Sequence, residues 1–278
     1  MSLTKLPYFD SLLKEFDQGN TEMEEAFGRH VHWGYWPDPQ SADGTITDFN
    51  QAAEALSKLV CDAAEIQGGM KVLDCGCGFG GTIAHLNERF SSLDLIGLNI
   101  DERQLQRARQ KVAPLTNNKI EFIQGNACQL PFPDASFDIV TAVECIFHFP
   151  SREAFFSEAA RVLRPGGRLS LSDFVSASQI LNFIPGLTML TDAIVANLYG
   201  TIRIQSLQEY AALAKRTGFQ TLVEKNITAQ TLPTFTVIDN LVNSLEKVPP
   251  LANLPNTLIE WAQRSNLVLY YILTYKKL

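Results

Sequence analysis

The ten residues Val72-Leu73-Asp74-Cys75-Gly76-Cys77-Gly78-Phe79-Gly80-Gly81 constrain this chain more than any other stretch. An apolar run of strand type passes directly into glycines, and a helical pattern follows. A turn of that kind lets backbone approach an anion closely, and N–H groups at a helix start point towards it. It belongs to a doubly wound α/β sheet, in which ligands lie beyond the carboxyl ends of the strands. Gly76, Gly78 and Gly80 also fit, loosely, the G-x-G-x-x-G pattern of nicotinamide and flavin enzymes, so the loop alone leaves an oxidoreductase open. Asp74 argues against that alternative. A carboxylate ahead of the glycines repels a pyrophosphate but accepts a hydrogen bond from an ammonium group. A ligand carrying both an amine and a carboxylate therefore fits better than a dinucleotide.

Strand and helix patterns alternate through much of the remaining chain. Thr47 is placed to cap a helix with apolar positions Ala52, Leu56, Leu59, Val60 and Ala63, stopped by Gly68-Gly69. Lys71 to Asp74, Leu93 to Asn99, Lys119 to Gln124, Phe137 to Val143 and Gly167 to Phe174 have strand length and composition. Helical patterns lie between them at Thr82 to Arg89, Glu102 to Val112 and Arg152 to Leu163, the last closed by Arg164-Pro165-Gly166-Gly167. The repeated strand–helix–strand order implies a parallel sheet with right-handed crossovers. Val175 to Ile204 is too long for a simple connection and reads as a helical insertion. A helix from Ser206 to Thr217 leads to strands near Phe219 to Glu224 and Leu267 to Tyr275, an antiparallel edge pair. The expected organisation is an N-terminal helix and lid (1–45), a cofactor-binding core (46–175), a cap insertion (176–205), a return to the core (206–228), a second cap (229–265) and the last core strand (266–278).

With these elements in place, the glycine loop resembles the first motif of the class I S-adenosylmethionine-dependent methyltransferases, hydrophobic-hydrophobic-Asp-x-Gly-x-Gly-x-Gly. The resemblance continues through Ile96-Gly97-Leu98-Asn99, Gly125-Asn126-Ala127 with Leu130-Pro131-Phe132, Ser136-Phe137-Asp138, and Arg161-Val162-Leu163-Arg164-Pro165-Gly166-Gly167. It covers Val72 to Asp173 in the family's order and is nearest to small-molecule enzymes acting on natural-product sugars, tocopherol or sarcosine. It implies a mostly parallel, seven-stranded, Rossmann-like sheet with helical cap insertions. The implied methyl donor is S-adenosyl-L-methionine, with S-adenosyl-L-homocysteine as product. Implied cofactor residues are Asp74, Gly76, Cys77 and Gly78 at the loop; Asn99, Ile100 and Gln104 after the second strand; Asn126 and Ala127; and Val143, Glu144 and His148 after the fourth strand. The family commonly has an acid where this chain has Asn99, and often an Asp where it has Asn126. An amide can still accept and donate. Asp101 competes for the ribose role and is also placed to cap the helix at Glu102.

His30-Val31-His32-Trp33-Gly34-Tyr35-Trp36-Pro37 resembles the His-x-Gly-Tyr-Trp lid stretch of sugar O-methyltransferases, which implies that Tyr35 reaches the methionine part of the cofactor. Trp33 and Trp36 either surround the sulfonium with aromatic faces or anchor the N-terminal helix, Leu6 to Phe16, on the core. Glu144-Cys145-Ile146-Phe147-His148-Phe149-Pro150 resembles that group's Glu-Ser-Leu-His-His-Met-Pro stretch, with Phe147 replacing the first His, and Ser172-Asp173-Phe174 its Ala-Asp-Phe. Methyl transfer to a hydroxyl needs alignment, exclusion of water and removal of a proton. The catalytic candidates are His148 as base and Asp173 as its helper; packing beneath the cofactor is the alternative for His148.

Charge bounds the partners. Lys and Arg number 23 against 30 Asp and Glu, giving a net charge of -7 without a basic block, so nucleic acid is not expected. No run of eighteen apolar residues and no basic, apolar start occurs, so stable membrane insertion is not expected and the setting is read as cytoplasmic. Cys61, Cys75, Cys77, Cys128 and Cys145 form no C-x-x-C set and read as reduced, mostly buried thiols. No metal-ligand cluster is visible in the sequence. The stripe Ile180, Leu181, Phe183, Ile184, Leu187, Met189, Leu190, Ile194, Val195, Leu198 and Tyr199 suits an apolar acceptor chamber, and equally a homodimer contact. The favoured reaction is O-methylation of a natural product or its sugar. N- or C-methylation of an amine, sterol or prenyl-type lipid is the alternative, with a nicotinamide oxidoreductase or a non-catalytic binding protein as readings from other classes.

Overall fold

The computed structural model of the chain describes residues 6–177, 204–244 and 254–278. The apolar stripe from Ile180 to Tyr199 lies outside them. Helices α1 (Pro7–Asp17), α2 (Thr21–Phe27) and α3 (Ile46–Ala63) lead to strand β1 (Lys71–Cys75). The core continues with α4 (Gly81–Arg89), β2 (Asp94–Asn99), α5 (Glu102–Lys111), β3 (Lys119–Gln124), β4 (Phe137–Val143), α6 (Arg152–Val162) and β5 (Leu163–Ser176). A short β6 (Gln205–Ser206), α7 (Leu207–Arg216), β7 (Phe219–Asn226), α8 (Thr228–Thr231), α9 (Pro233–Ser244), α10 (Leu254–Arg264) and β8 (Val268–Lys277) follow.

The sheet order is β3-β2-β1-β4-β5-β8-β7, with β6 beside β5. β8 runs antiparallel to both neighbours, while β1 to β5 pair in parallel. The order reverses between β1 and β4, which puts the binding crevice at their carboxyl ends. Successive strand residues point to opposite faces. Val72 and Leu95 accordingly pack with Ile83, Leu86 and Leu105 from α4 and α5. Leu73 and Ile96 pack with Phe155, Phe156 and Leu213 from α6 and α7 on the other side.

Two of the boundaries that differ from the expectation have a clear local cause. Thr45, not Thr47, caps α3: its hydroxyl accepts from Asp48 N–H at 3.2 Å, in a turn fixed by Thr45 N–H donating to Asp43 at 2.8 Å. Arg164 to Gly167 do not close a helix but bulge within β5, between the Phe137–Leu163 and Ile139–Arg168 pairs, with Gly166 at φ +79. The five cysteines form no disulfide. No described helix is long and apolar enough to cross a membrane.

Candidate active site

A cavity of about 580 Å³ opens at the carboxyl ends of β1, β2 and β4, roofed by Leu6, Tyr8, Phe9 and Asp10 at the start of the chain's described part. Its floor begins at Asp74. The strand register sets Asp74 beside Thr141 of β4, whose hydroxyl donates to Oδ1 at 2.8 Å. Oδ2 is buried without a hydrogen-bond partner. Burial pushes this carboxyl up to about 7, against the Thr141 hydrogen bond. Such a group calls for a cationic donor. Gly76, at φ +76, passes so close to the loop that leaves β4 that a Cβ there would lie 2.7 Å from Cys145 Sγ. The N–H groups of Gly76 and Cys77 both donate to Leu98 C=O, at 2.7 and 3.1 Å, and so are not offered to a ligand. An anion is served instead by the first turn of α4, where Gly81 and Thr82 line the cavity. Asp74 and the helix start together fit an amine and a carboxylate on one ligand.

The remaining implied cofactor positions divide. Cys77, Gly78, Asn99, Ile100, Gln104, Asn126, Ala127, Val143, Glu144 and His148 all line the cavity. Asn99 uses both ends of its amide within the chain: Oδ1 accepts from Ile100 N–H at 2.8 Å and Nδ2 donates to Gln104 Oε1 at 2.7 Å. Asn126 Oδ1 accepts from Cys128 N–H at 2.9 Å, closing a local turn. Asp101 caps α5 through Arg103 N–H at 3.0 Å while also facing the cavity.

Tyr35 does not line this cavity. Its backbone N–H donates to Ala52 C=O at 2.8 Å and its ring lies 5.5 Å from Lys225 Nζ, which turns it away from the glycine loop. The entrance segment instead presents His30, Val31 and His32. Gly81 admits this approach: a Cβ there would sit 2.3 Å from His30 Nδ1 and 2.6 Å from Arg29 C=O. Two of the chain's four histidines meet Glu54, and a third joins them through His30. His30 Nε2 and His85 Nδ1 lie 2.7 and 2.6 Å from its two oxygens, and His32 Nε2 lies 3.0 Å from both His30 Nδ1 and Ser57 Oγ. Burial, then the neighbouring His30, draws His32 down to about 3. The sequence reading missed this cluster, although His30 and His32 flank the aromatic motif. Trp33 stacks on Tyr270 and meets Phe174 and Phe235 edge-on, while Trp36 Nε1 donates to Asp48 at 2.8 Å. The tryptophans fasten the entrance to α3, α9 and β8, not α1 to the core.

At the end of β4, Glu144 has φ +49, a region that costs a side-chain-bearing residue strain. Its Oε2 accepts from Trp33 N–H at 2.9 Å and Tyr270 O–H at 2.5 Å. Burial pushes the carboxyl up to about 8, opposed by those hydrogen bonds. His148 lies in a single 3-10 turn, Ile146–His148, with Nε2 3.4 Å from the Tyr8 hydroxyl and its ring stacked on that of Tyr8 at 5.9 Å. Burial, then the charge of Arg152, pulls His148 down to about 3. Tyr8 is a further residue that sequence reasoning missed. Asp173 is not brought to His148. It is fully buried, does not line the cavity, and accepts from Arg152 at 2.8 Å and from the Tyr210 hydroxyl. The expected His148–Asp173 pair is thereby corrected: Arg152, at the start of α6, takes the carboxylate.

Residues 73–171 match the methyltransferase domain family. The chain is similar to the methyltransferase GfsG of Streptomyces halstedii, 33% identical across 81% of this chain and 80% of that protein. It is 29% identical to the 27-O-demethylrifamycin SV methyltransferase of Amycolatopsis mediterranei, across 80% of this chain and 78% of the relative. Its fold superimposes on geranyl diphosphate C-methyltransferase from Streptomyces coelicolor A3(2), solved with S-adenosyl-L-homocysteine, with a TM-score of 0.75, 17% identity and 99% of each chain covered.

Proposed function

The chain belongs to the S-adenosylmethionine-dependent methyltransferases of small molecules, and from that premise we propose that it methylates a hydroxyl group on a largely apolar natural product or its sugar. One observation carries the reading. A single cavity joins a seat for an ammonium group, Asp74 Oδ2, to two titratable side chains, Glu144 and His148, on the neighbouring β4 end. A hydroxyl acceptor requires proton removal, whereas an amine with a low pKa does not. The name of the rifamycin relative, an O-methyltransferase of a natural product, supports the same choice.

In this reading Asp74 takes the cofactor's ammonium, the start of α4 receives its carboxylate, and the Gly76–Gly78 turn lets the ligand approach the backbone closely. Asn99, Ile100 and Gln104 flank the ribose, and Asn126 with Ala127 the adenine. Val143, Glu144 and His148 surround the sulfur. The cofactor supplies an electrophilic methyl group when bound. His148, weakly basic and aligned by Tyr8, orients the acceptor as a hydrogen-bonding partner, with Asp173 acting only through Arg152.

The test is a methyl-transfer assay of the purified chain against fractionated metabolite extracts, using a labelled methyl donor and mass detection. The expected product gains one CH₂ on oxygen. A methyl group on nitrogen or carbon would refute hydroxyl methylation, and tight NAD binding without S-adenosylmethionine binding would overturn the cofactor assignment.

A further inference from the structure

Glu144 presents an arrangement that cofactor binding does not explain. Both of its described donors, Trp33 N–H and Tyr270 O–H, converge on Oε2; no described residue donates to Oε1, and the side chain borders the cavity. Its backbone is held at φ +49 by Glu144 N–H donating to Ser172 Oγ at 3.0 Å. The carboxylate is therefore fixed at one oxygen and open at the other, at the sheet's switch point beside the Asp74 seat. We propose that Glu144, not His148, is the base that takes the acceptor's hydroxyl proton.

This assignment rests on the hydroxyl reading above. The acceptor oxygen forms a bond to the methyl carbon as the sulfur–carbon bond breaks, sulfur keeps the bonding pair, and the hydroxyl proton passes to Glu144 Oε1. Proton affinity favours the same choice. A carboxyl raised to about 8 is matched to a working pH near neutrality, while an imidazole lowered to about 3 accepts a hydrogen bond but holds a proton poorly. The ionisable groups around Glu144 are Tyr270 on β8, Asp173 on β5, and Asp74 and His148 at the cavity. Of these, Asp173 raises its affinity for a proton and the Tyr270 hydroxyl lowers it. A sulfonium next to it favours the ionised form, so the donor's arrival readies the base.

That coupling gives a readout independent of turnover. S-adenosylmethionine and S-adenosylhomocysteine share the ammonium group that favours the ionised form of Asp74, but only the first carries a charge on sulfur. Each is titrated into the full chain at pH 7.5, calorimetrically, in two buffers of different ionisation enthalpy. The charged ligand is expected to release more protons than the neutral one. Glu144→Gln removes the difference in protons released, and it slows methylation of the hydroxyl acceptor recovered from the extracts by roughly 100-fold or more. Tyr270→Phe, a gentler change, moves the maximum of the proton-release difference to higher pH. Equal proton release by both ligands in the unaltered protein, or an unchanged difference in Glu144→Gln, overturns the assignment and leaves O-methylation standing. A product methylated on carbon or nitrogen instead brings down the reading on which the base depends.

Discussion

Replacing Asp74 by Asn separates the requirements of binding from those of stability, because its effects on the two have opposite signs. Asp74 carries a carboxyl raised from the ordinary aspartate value of 3.8 to about 7, with burial as the main cause. In the unfolded chain the group loses its proton near its ordinary value, so the native state binds the proton more tightly. This contribution to stability is full below that value and is lost as pH rises towards 7. Over the whole interval the loss is about 4 kcal/mol. Asn resembles the protonated carboxyl, keeps an oxygen for the Thr141 hydroxyl and carries no charge. At pH 7.5 the cofactor-free variant should therefore be more stable than the parent, by up to about 4 kcal/mol or roughly 8–16 °C in melting temperature, and the gain should vanish near pH 4. Ligand binding should move the other way. A charge-assisted hydrogen bond to the cofactor's ammonium is worth about 1.5–3 kcal/mol, so affinity for S-adenosylhomocysteine should fall by roughly 10- to 150-fold. Thermal melts from pH 4 to 8, with and without the ligand, and calorimetric titration read both effects. A variant that binds as tightly as the parent, with no gain in stability at pH 7.5, would refute the reasoning about Oδ2.

Three further outcomes are expected. Gly81→Ala drives a methyl group against His30 and the Arg29 carbonyl; stability should drop by about 1–3 kcal/mol, homocysteine-ligand affinity should weaken, and the His30 and His32 imidazole resonances should move. Unchanged resonances would place the entrance segment elsewhere. Asp173→Asn removes the carboxylate facing buried Arg152, so urea unfolding should show a loss of about 3–5 kcal/mol with ligand affinity retained; lost turnover at unchanged stability would instead return Asp173 to the acceptor. Tyr35→Phe should leave homocysteine-ligand affinity unchanged in the same titration, since Tyr35 stands outside the cavity, and a tenfold loss would contradict that placement.

The contrast between Asp74 and Tyr35 explains which parts of this molecule could be read from its sequence. Asp74 lies in a strand whose apolar alternation and abrupt glycines fix its position at the carboxyl end, and the parallel order of β1 and β4 follows from the alternation of strands and helices. What cannot be seen is that register places Thr141 beside it and leaves one oxygen unpartnered. Tyr35 lies in a segment without helical or strand periodicity, so its order in sequence does not say which side chain faces inward. Contacts distant in sequence decide that: Gly34 N–H donates to Thr234 at 3.1 Å and Trp36 N–H to the Gln230 carbonyl at 2.9 Å. The same limit misdirected Asp173. Its place near the end of β5 was legible only as a strand residue near the crevice, but its partners Arg152 and Tyr210 come from α6 and α7, and burial decides that the carboxylate faces a guanidinium instead of an imidazole. Glu144 combines both situations. The motif brings it to the cavity, yet the left-handed backbone that fixes one oxygen and frees the other depends on Ser172, Tyr270 and Trp33, drawn from three separate parts of the chain. Local pattern thus locates the crevice, while the proton chemistry within it is set by long-range partners, which is why titration of Glu144 and Asp74, more than further motif comparison, discriminates among the possible reactions.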